Sequence, residues 1–217
     1  MSTALCIALV GAESTGKTVL AQALATRLVA ATGRRVAWVP ELLREWCARN
    51  GRTPQAHEQA SILRAQHERI DAAAASHDIV VCDTTALMTA VYSRFVFGDR
   101  SLDERAALLH QRRIALTLLM AFDLPWVPDG LQRDGPQVRE PVDTLLRSLM
   151  QTSGIGFSVI SGSGPARLEA ALAACAPLLR QRVAPRPAGL FSGAAGRWSC
   201  ACCLPDEKSA LRRRSAG

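Results

Sequence analysis

The stretch Gly11-Ala-Glu-Ser-Thr-Gly-Lys-Thr18 decides the fold of this 217-residue chain, because it is a complete G-x-x-x-x-G-K-[ST] phosphate-binding loop. The apolar run at 4–10 before it is typical of a buried parallel strand, and residues 19–31 after it have a helical pattern. Strand, loop and helix in this order are the context that the motif requires. The sequence therefore predicts a nucleoside triphosphate site, although the loop alone does not distinguish a kinase from an ATPase or a GTPase.

Each position of the loop has a physical role in holding phosphate. Gly11 and Gly16 permit backbone conformations in which successive N–H groups turn inward at a helix N-terminus and surround phosphate oxygens. Lys17 supplies a cation for the β- and γ-phosphates, and Thr18 supplies a hydroxyl for Mg²⁺. We therefore expect ATP and Mg²⁺ as cofactors. The predicted ATP-binding residues are Gly11, Glu13, Ser14, Thr15, Gly16, Lys17 and Thr18.

The composition indicates one globular domain followed by a basic tail. Hydrophobic residues make up 48% of the chain and charged residues 21%, which suits a folded domain with a proper core. The net charge of +7 is uneven: residues 178–217 hold eight basic and two acidic residues, and the rest holds 18 basic and 17 acidic residues. We expect a kinase-like nucleotide-binding domain at 1–183 and a flexible tail rich in Pro, Gly, Ser and Cys at 184–217. Nucleic acid binding is not expected from the core and stays open only for the tail.

The sequence gives no sign of a membrane protein. No run approaches the ~20 apolar residues that a membrane span needs. The N-terminus lacks the charged and then apolar pattern of a signal peptide, because its first apolar run is the strand that leads into the phosphate loop. We therefore expect a cytoplasmic protein.

Cys200 and Cys203 in the tail have the C-x-x-C spacing with which two thiolates bind one zinc ion. A structural zinc site needs a second pair of ligands, and no Cys or His follows Cys203. Metal binding, pairing between molecules and an inert tail all stay open for these two residues.

Alternating strand and helix patterns predict the architecture. Helical patterns lie between and after the predicted strands, and this alternation favours a parallel sheet. The expected fold is an α/β, three-layer sandwich of the P-loop NTPase type, with a five-stranded parallel sheet and helices on both faces. The strands are predicted at 4–10, 35–39, 79–82, 114–121 and 157–160, and the helices at 19–31, 41–49, about 54–77, 86–97, 102–112, 142–153 and 165–181.

Two carboxylates fall at predicted strand ends, where parallel sheets bind their ligands. Asp83 ends an apolar run as a Walker B residue does and is the candidate Mg²⁺ ligand beside Thr18, although Asp is also a common turn residue. Glu41 is a candidate general base for an acceptor hydroxyl, or else a Glu placed favourably near a helix N-terminus. Arg44, one turn later, is placed to pair with Glu41 or to contact a phosphate. Which of Glu41 and Asp83 takes the proton stays open.

Other polar residues have less specific interpretations. Thr84 and Thr85 either bond the substrate or cap the helix after them, and Gln66 is expected to be a surface or packing residue that is also able to bond a base or amide. The segment 123–141 is polar and rich in proline, as in a mobile lid, with Trp126 as an anchor and Arg133 as a catalytic cation. Arg139 is a second lid cation; an ordinary surface loop is the alternative.

Four motifs in order resemble the NadR-type P-loop domain, the ribosylnicotinamide-kinase-like branch of the AAA group of ATPases. The resemblance extends over about residues 4–175 and implies an ATP-dependent kinase that phosphorylates the 5′-hydroxyl of nicotinamide riboside. It also implies that Asp83 lies near Mg²⁺ and substrate, and that residues 126–130 belong to a lid. The motifs are Gly11 to Thr18, Val39-Pro-Glu-Leu-Leu-Arg44, Ile79-Val-Val-Cys-Asp-Thr-Thr85 and Trp126-Val-Pro-Asp-Gly-Leu131.

The chain departs from this family in the lid and in its aromatic content. Gln132 stands between Gly130-Leu131 and Arg133, where relatives tend to place an Arg directly after Gly-Leu. The candidates for stacking a pyridine ring are Tyr92, Trp46 and Trp126. We expect a small nucleoside-like substrate; the alternative is a regulatory ATPase without a small-molecule acceptor, in which the tail contacts a partner.

Overall fold

A five-stranded, all-parallel sheet forms the centre of the computed structural model, which describes residues 4–127 and 135–183. Its strand order is β2-β3-β1-β4-β5, so the strand before the phosphate loop is central. The predicted parallel sheet is confirmed. The strands are β1 (Leu5–Val10), β2 (Val36–Val39), β3 (Ile79–Asp83), β4 (Ile114–Met120) and β5 (Ser158–Ile160).

Helices cover both faces of the sheet. Arg27 on α1 pairs with Glu169 on α7 at 3.3 Å, so these helices are neighbours, while α3 to α6 pack against one another. Right-handed crossovers place these two groups on opposite faces, and the predicted three-layer sandwich is confirmed. The described helices are α1 (Lys17–Thr32), α2 (Leu42–Asn50), α3 (Ala56–Ser76), α4 (Ala86–Phe97), α5 (Asp103–Arg113), α6 (Arg139–Thr152) and α7 (Gly164–Val183), with a short 3-10 turn at Pro136–Val138.

Strand β1 is buried along its whole length, which explains its unbroken apolar sequence. Cys6 and Val10, four residues apart on the strand, face the same layer of helices: Cys6 packs with Ile70 of α3, and Val10 lies in the larger cluster with Leu87 of α4 and Leu146 of α6. The phosphate loop therefore starts from a central strand that is buried along its whole length.

Two helix starts differ from the sequence prediction. Helix α6 begins at Arg139 rather than 142, because Pro141 lies in the first turn, where a missing N–H costs no intrahelical bond. Helix α3 begins after Gln55, which forms a capping box with Glu58, rather than at 54. The predicted insertion at 123–141 is therefore shorter at its C-terminal end.

The chain divides into two compact units, residues 1–177 and 178–217. Of the second unit, the structure describes only the end of α7, to Val183. The boundary at 183/184 stays a prediction, and Cys200 and Cys203 lie outside the described residues. None of the helices in the described parts combines the length and apolar character that a membrane span requires.

Candidate nucleotide site

The phosphate loop joins β1 to α1 with a backbone that side chains would obstruct. Gly11 has a φ of 152°, and a Cβ there would lie 3.0 Å from the Met120 Cβ and 3.1 Å from the Met120 carbonyl oxygen. Gly16 caps α1 in the left-handed region, and Ser14 also has a positive φ of 53°. Gly16 has no side chain with which to cap α1, so the N-terminus of this helix suits an anion.

Lys17 lies across its own loop. Its Nζ donates to the carbonyl oxygens of Gly11 at 2.9 Å and Ala12 at 2.8 Å. The Thr15 hydroxyl also donates to the Ala12 carbonyl at 2.8 Å, which makes this side chain part of the loop's internal support. Because a phosphate oxygen carries formal charge, it is a stronger acceptor for the ammonium than either carbonyl.

Ser14 connects the phosphate loop to the N-terminal part of the predicted lid. Its hydroxyl oxygen accepts from the backbone N–H of Val127 at 2.8 Å and donates to the carbonyl of Val127 at 3.2 Å. Glu13, by contrast, is a buried side chain of the loop. The sequence did not predict this direct link between the loop and residue 127.

Asp83 lies at the end of β3, in register with Leu9 of the strand that carries the phosphate loop. It is 1% exposed, and its Oδ1 has no hydrogen-bond partner among the described residues. The adjacent Thr84 also has a buried hydroxyl without a described partner and a φ of 74°, which is unusual for a β-branched residue. Two buried oxygens that lack partners, beside strained backbone, indicate a site that is completed by a ligand.

Glu41 lies one strand further out, at the same edge of the sheet, because β2 and β3 are paired with Val39 opposite Cys82. It occupies the N-cap position of α2, yet its side chain makes no capping hydrogen bond. Its carboxylate is 3.8 Å from Nε of Arg44, the expected ion pair. Glu41 therefore precedes the first helical turn instead of lying within it.

A buried chain of hydrogen bonds holds Thr85, the residue after Thr84. Thr85 caps α4 by accepting from the Leu87 N–H at 3.4 Å, and its hydroxyl is 3.1 Å from His110 Nδ1. His110 Nε2 is 2.8 Å from the hydroxyl of Thr117 on β4. Burial lowers the pKa of His110 to about 4, so the ring is neutral at pH 7. Thr85 is thus a capping residue held by the core.

The predictions for the two lid cations, Arg133 and Arg139, compare differently with the structure. Arg133 lies within residues 128–134, which are outside the described part of the chain. Arg139 was expected in the insertion, but this prediction is wrong, because the residue is buried in the first turn of α6. It donates to the Leu124 carbonyl at 2.8 Å and lies over the Phe122 ring, and burial lowers its pKa.

The candidate aromatic residues are dispersed. The ring of Trp46 is covered on one side by the guanidinium of Arg52, 4.9 Å from the ring centroid. Tyr92 packs partly buried against the core on the α4 face. Trp126 precedes Val127, the residue that bonds Ser14, and is half-buried. These three residues thus belong to three separate elements: α2, α4 and the segment before residue 128.

Arg167 is a residue of this region that no sequence pattern singles out. It lies on α7, is 3% exposed, and donates to the Thr15 carbonyl at 3.1 Å and the Ala121 carbonyl at 2.8 Å. It also pairs with Asp123 at 2.6 Å. A single arginine near the start of a helix carries no sequence signal for such a position, because its partners are distant in the chain.

The family and structural comparisons agree with this geometry. A model of the AAA domain family matches residues 6–167, whereas a search of curated proteins finds no match.

Within the described residues no group of His, Cys, Asp and Glu side chains forms a metal-binding cluster of three or more.

Structures of the NadR protein in complex with NAD and AMP-PNP, and in complex with NR, match 81% of this chain. Their TM-scores are 0.63 and 0.66 at 19% and 18% sequence identity, and the matches cover 49% and 50% of those chains. The chain thus spans about half the length of the NadR chains. Thymidylate kinase from Ehrlichia chaffeensis matches with a TM-score of 0.57 at 17% identity, over 82% of this chain and 100% of that chain. At these identities the likeness shows the shared α/β three-layer fold alone.

Proposed function

The chain belongs to the AAA domain family, and from this membership and its P-loop kinase fold we propose that it is an ATP-dependent phosphotransferase. The proposed reaction transfers the γ-phosphoryl group of ATP to a nucleoside-like acceptor such as nicotinamide riboside. The observation that carries the proposal is the buried Asp83 carboxylate oxygen without a partner, beside a complete phosphate loop. That arrangement supports a ligand site at the edge of the sheet where the loop begins.

The donor half of the proposed site is the phosphate loop. The backbone N–H groups of residues 11–18 would hold the phosphates, and Lys17 would leave the carbonyls of Gly11 and Ala12 for phosphate oxygens. Glu13, Ser14 and Thr15 serve this role through the backbone shape of the loop rather than through charged contacts. Arg133 would add a cation near the transferred group.

Thr18 and Asp83 are the residues that would hold Mg²⁺. The fit rests on the chemistry of the donors, because Mg²⁺ prefers oxygen ligands and the buried Asp83 Oδ1 lacks another partner. When bound, Mg²⁺ neutralises charge that develops on the phosphates during transfer. Asp83 is therefore assigned to the metal, which leaves Glu41 as the proton acceptor for the attacking hydroxyl.

The nucleoside-like acceptor is supported by two separate facts. One NadR structure with the same fold contains NR, and the motifs at 39–44, 79–85 and 126–131 resemble that family. A regulatory ATPase without an acceptor is the alternative, since the phosphate loop and Asp83 serve hydrolysis as well as transfer. The tail at 184–217 is proposed to be dispensable for catalysis in the first case and to contact the partner in the second.

A panel of acceptors, monitored by ADP release, tests this function. Nicotinamide riboside is expected to accelerate ATP consumption at least about tenfold over the background with water, and Asp83→Asn to abolish the acceleration. Other nucleosides in the panel define the acceptor class. If no nucleoside accelerates ADP release while basal ATP hydrolysis persists, the kinase assignment is wrong and the regulatory ATPase replaces it.

A further inference from the structure

Gln66 holds the backbone on both sides of Glu41. It lies near the middle of α3 and is 2% exposed. Its Oε1 accepts from the backbone N–H of Leu42 at 2.7 Å, and its Nε2 donates to the carbonyl of Pro40 at 3.4 Å. A single buried amide therefore contacts the residue before Glu41 and the residue after it.

This arrangement replaces the usual cap of a helix. The first N–H groups of a helix lack intrahelical partners, and the side chain at the N-cap commonly satisfies one of them. Glu41 stands at the N-cap of α2 but makes no capping hydrogen bond, and Gln66 satisfies the N–H of Leu42 instead. The cap of α2 is thus supplied by Gln66 and not by the carboxylate of Glu41.

Gln66 holds Pro40 through the proline carbonyl, because proline has no backbone N–H to donate. Glu41 has an extended backbone with φ −66° and ψ 113°, between the buried end of β2 and the buried Leu42. A rotation of this peptide would move the carboxylate along the edge of the sheet.

We propose that Gln66 is a positioning residue, which fixes the turn between β2 and α2 so that the Glu41 carboxylate faces the reacting hydroxyl beside Asp83. This inference rests on the proposed function, in which Glu41 accepts the proton. It deepens that proposal because a general base must be held in hydrogen-bonding reach of the proton that it abstracts. The competing explanation is that Gln66 satisfies buried backbone groups only for the sake of stability.

Gln59 provides a matched control for the substitution. It lies two turns earlier on the same face of α3, is 3% exposed, and its Oε1 has no hydrogen-bond partner among the described residues. Gln66→Met and Gln59→Met remove the same amide from the same helix at equal burial. Only the first change releases the backbone around Glu41.

The experiment is a double-mutant cycle on the full chain, with ATP and nicotinamide riboside and with kcat and KM measured separately. We expect Gln66→Met to lower kcat about 10- to 100-fold with the KM for ATP changed less than about twofold, and Gln59→Met to leave kcat within about twofold. Glu41→Gln is expected to lower kcat about 100-fold or more. In the Glu41→Gln background, Gln66→Met should change kcat less than about twofold, because the group that it positions is already lost.

The outcomes separate the two proposals. If Gln66→Met lowers kcat by the same factor with and without Glu41, the positioning role is overturned and the general-base assignment survives. If Glu41→Gln alone leaves kcat unchanged, the assignment of Glu41 as the base is wrong, and the inference about Gln66 falls with it. Gln66→Asn, one methylene shorter, replaces Gln66→Met should that variant not fold, with the same coupling to Glu41 expected.

Discussion

The guanidinium of Arg167 on α7 donates a hydrogen bond to the backbone carbonyl of Thr15 in the phosphate loop, at 3.1 Å and across 152 residues of sequence. The same Nη2 atom also donates to Ala121 at the end of β4. Arg167 thus joins three elements that reach the same edge of the sheet. The phosphate loop is therefore held by a residue of α7 as well as by its own hydrogen bonds.

Loss of Arg167 is expected to weaken both the fold and nucleotide binding. Arg167→Met should lower the free energy of unfolding by about 2–4 kcal/mol, because it leaves several buried carbonyls and Asp123 without their partner. The KM for ATP should rise, since the Thr15 carbonyl is released. Denaturant unfolding and steady-state kinetics measure the two effects.

Asp123→Asn is the matched control for Arg167. It removes the charge of the partly exposed partner but leaves the guanidinium bonded to Thr15 and Ala121. Its effect should therefore be smaller, about 1 kcal/mol or less. Equal losses of stability and equal KM values for the two variants would show that the loop contact has no role.

Lys17→Ala is expected to reduce the rate of ATP turnover about 100- to 1,000-fold, because it removes the cation that would meet the phosphates. Nucleotide affinity, measured by calorimetry, should also fall. Arg27→Ala on the exposed face of the same helix is the control and should retain full turnover. Normal ATP affinity and turnover in Lys17→Ala would contradict the assignment of the nucleotide site.

Gly11→Ala should be much more costly than Gly51→Ala. A Cβ at Gly11 meets the Met120 backbone, whereas a Cβ at Gly51, where φ is 66°, meets nothing within 4 Å. We expect a loss of about 3 kcal/mol or more at position 11 and about 1 kcal/mol at position 51. Thermal unfolding of the two variants makes the comparison, and similar losses would show that the close approach to Met120 does not constrain the loop.

His110 is expected to make the protein less stable in acid. Burial lowers its pKa to about 4 from the usual 6.5, so between these values the unfolded chain binds more protons than the folded one. The free energy of unfolding should therefore fall as the pH drops through this window, by about 3 kcal/mol from this group, and stay constant above it. Denaturant unfolding at several pH values measures the slope.

His110→Gln should remove that part of the pH dependence while lowering stability at pH 7, because the bonds to Thr85 and Thr117 are disturbed. An unaltered slope in His110→Gln would contradict the assignment of the acid sensitivity to this ring.

A feature of the site could be predicted when the residues that form it lie close together in the sequence. The phosphate loop and the placement of Asp83 and Glu41 at strand ends were readable, because a buried strand gives an apolar run and the residue after it marks the edge of the sheet. The start of α6 was misplaced because Pro141 resembles a loop residue, although the first helical turn tolerates it. Gln66 was expected to be an ordinary surface or packing residue, since helical periodicity does not show which backbone groups its amide meets.

The sequence by itself determined that this chain has a phosphate loop between a buried strand and a helix, because those signals lie within a few residues of one another. Only the tertiary structure decided which distant side chains support that loop and its neighbours: Arg167 at Thr15, Gln66 around Glu41, and His110 beneath Thr85. The physical reason is that a buried polar group takes whichever partner the packing of the layers brings within about 3 Å. That partner depends on the fold as a whole and leaves no local pattern in the sequence.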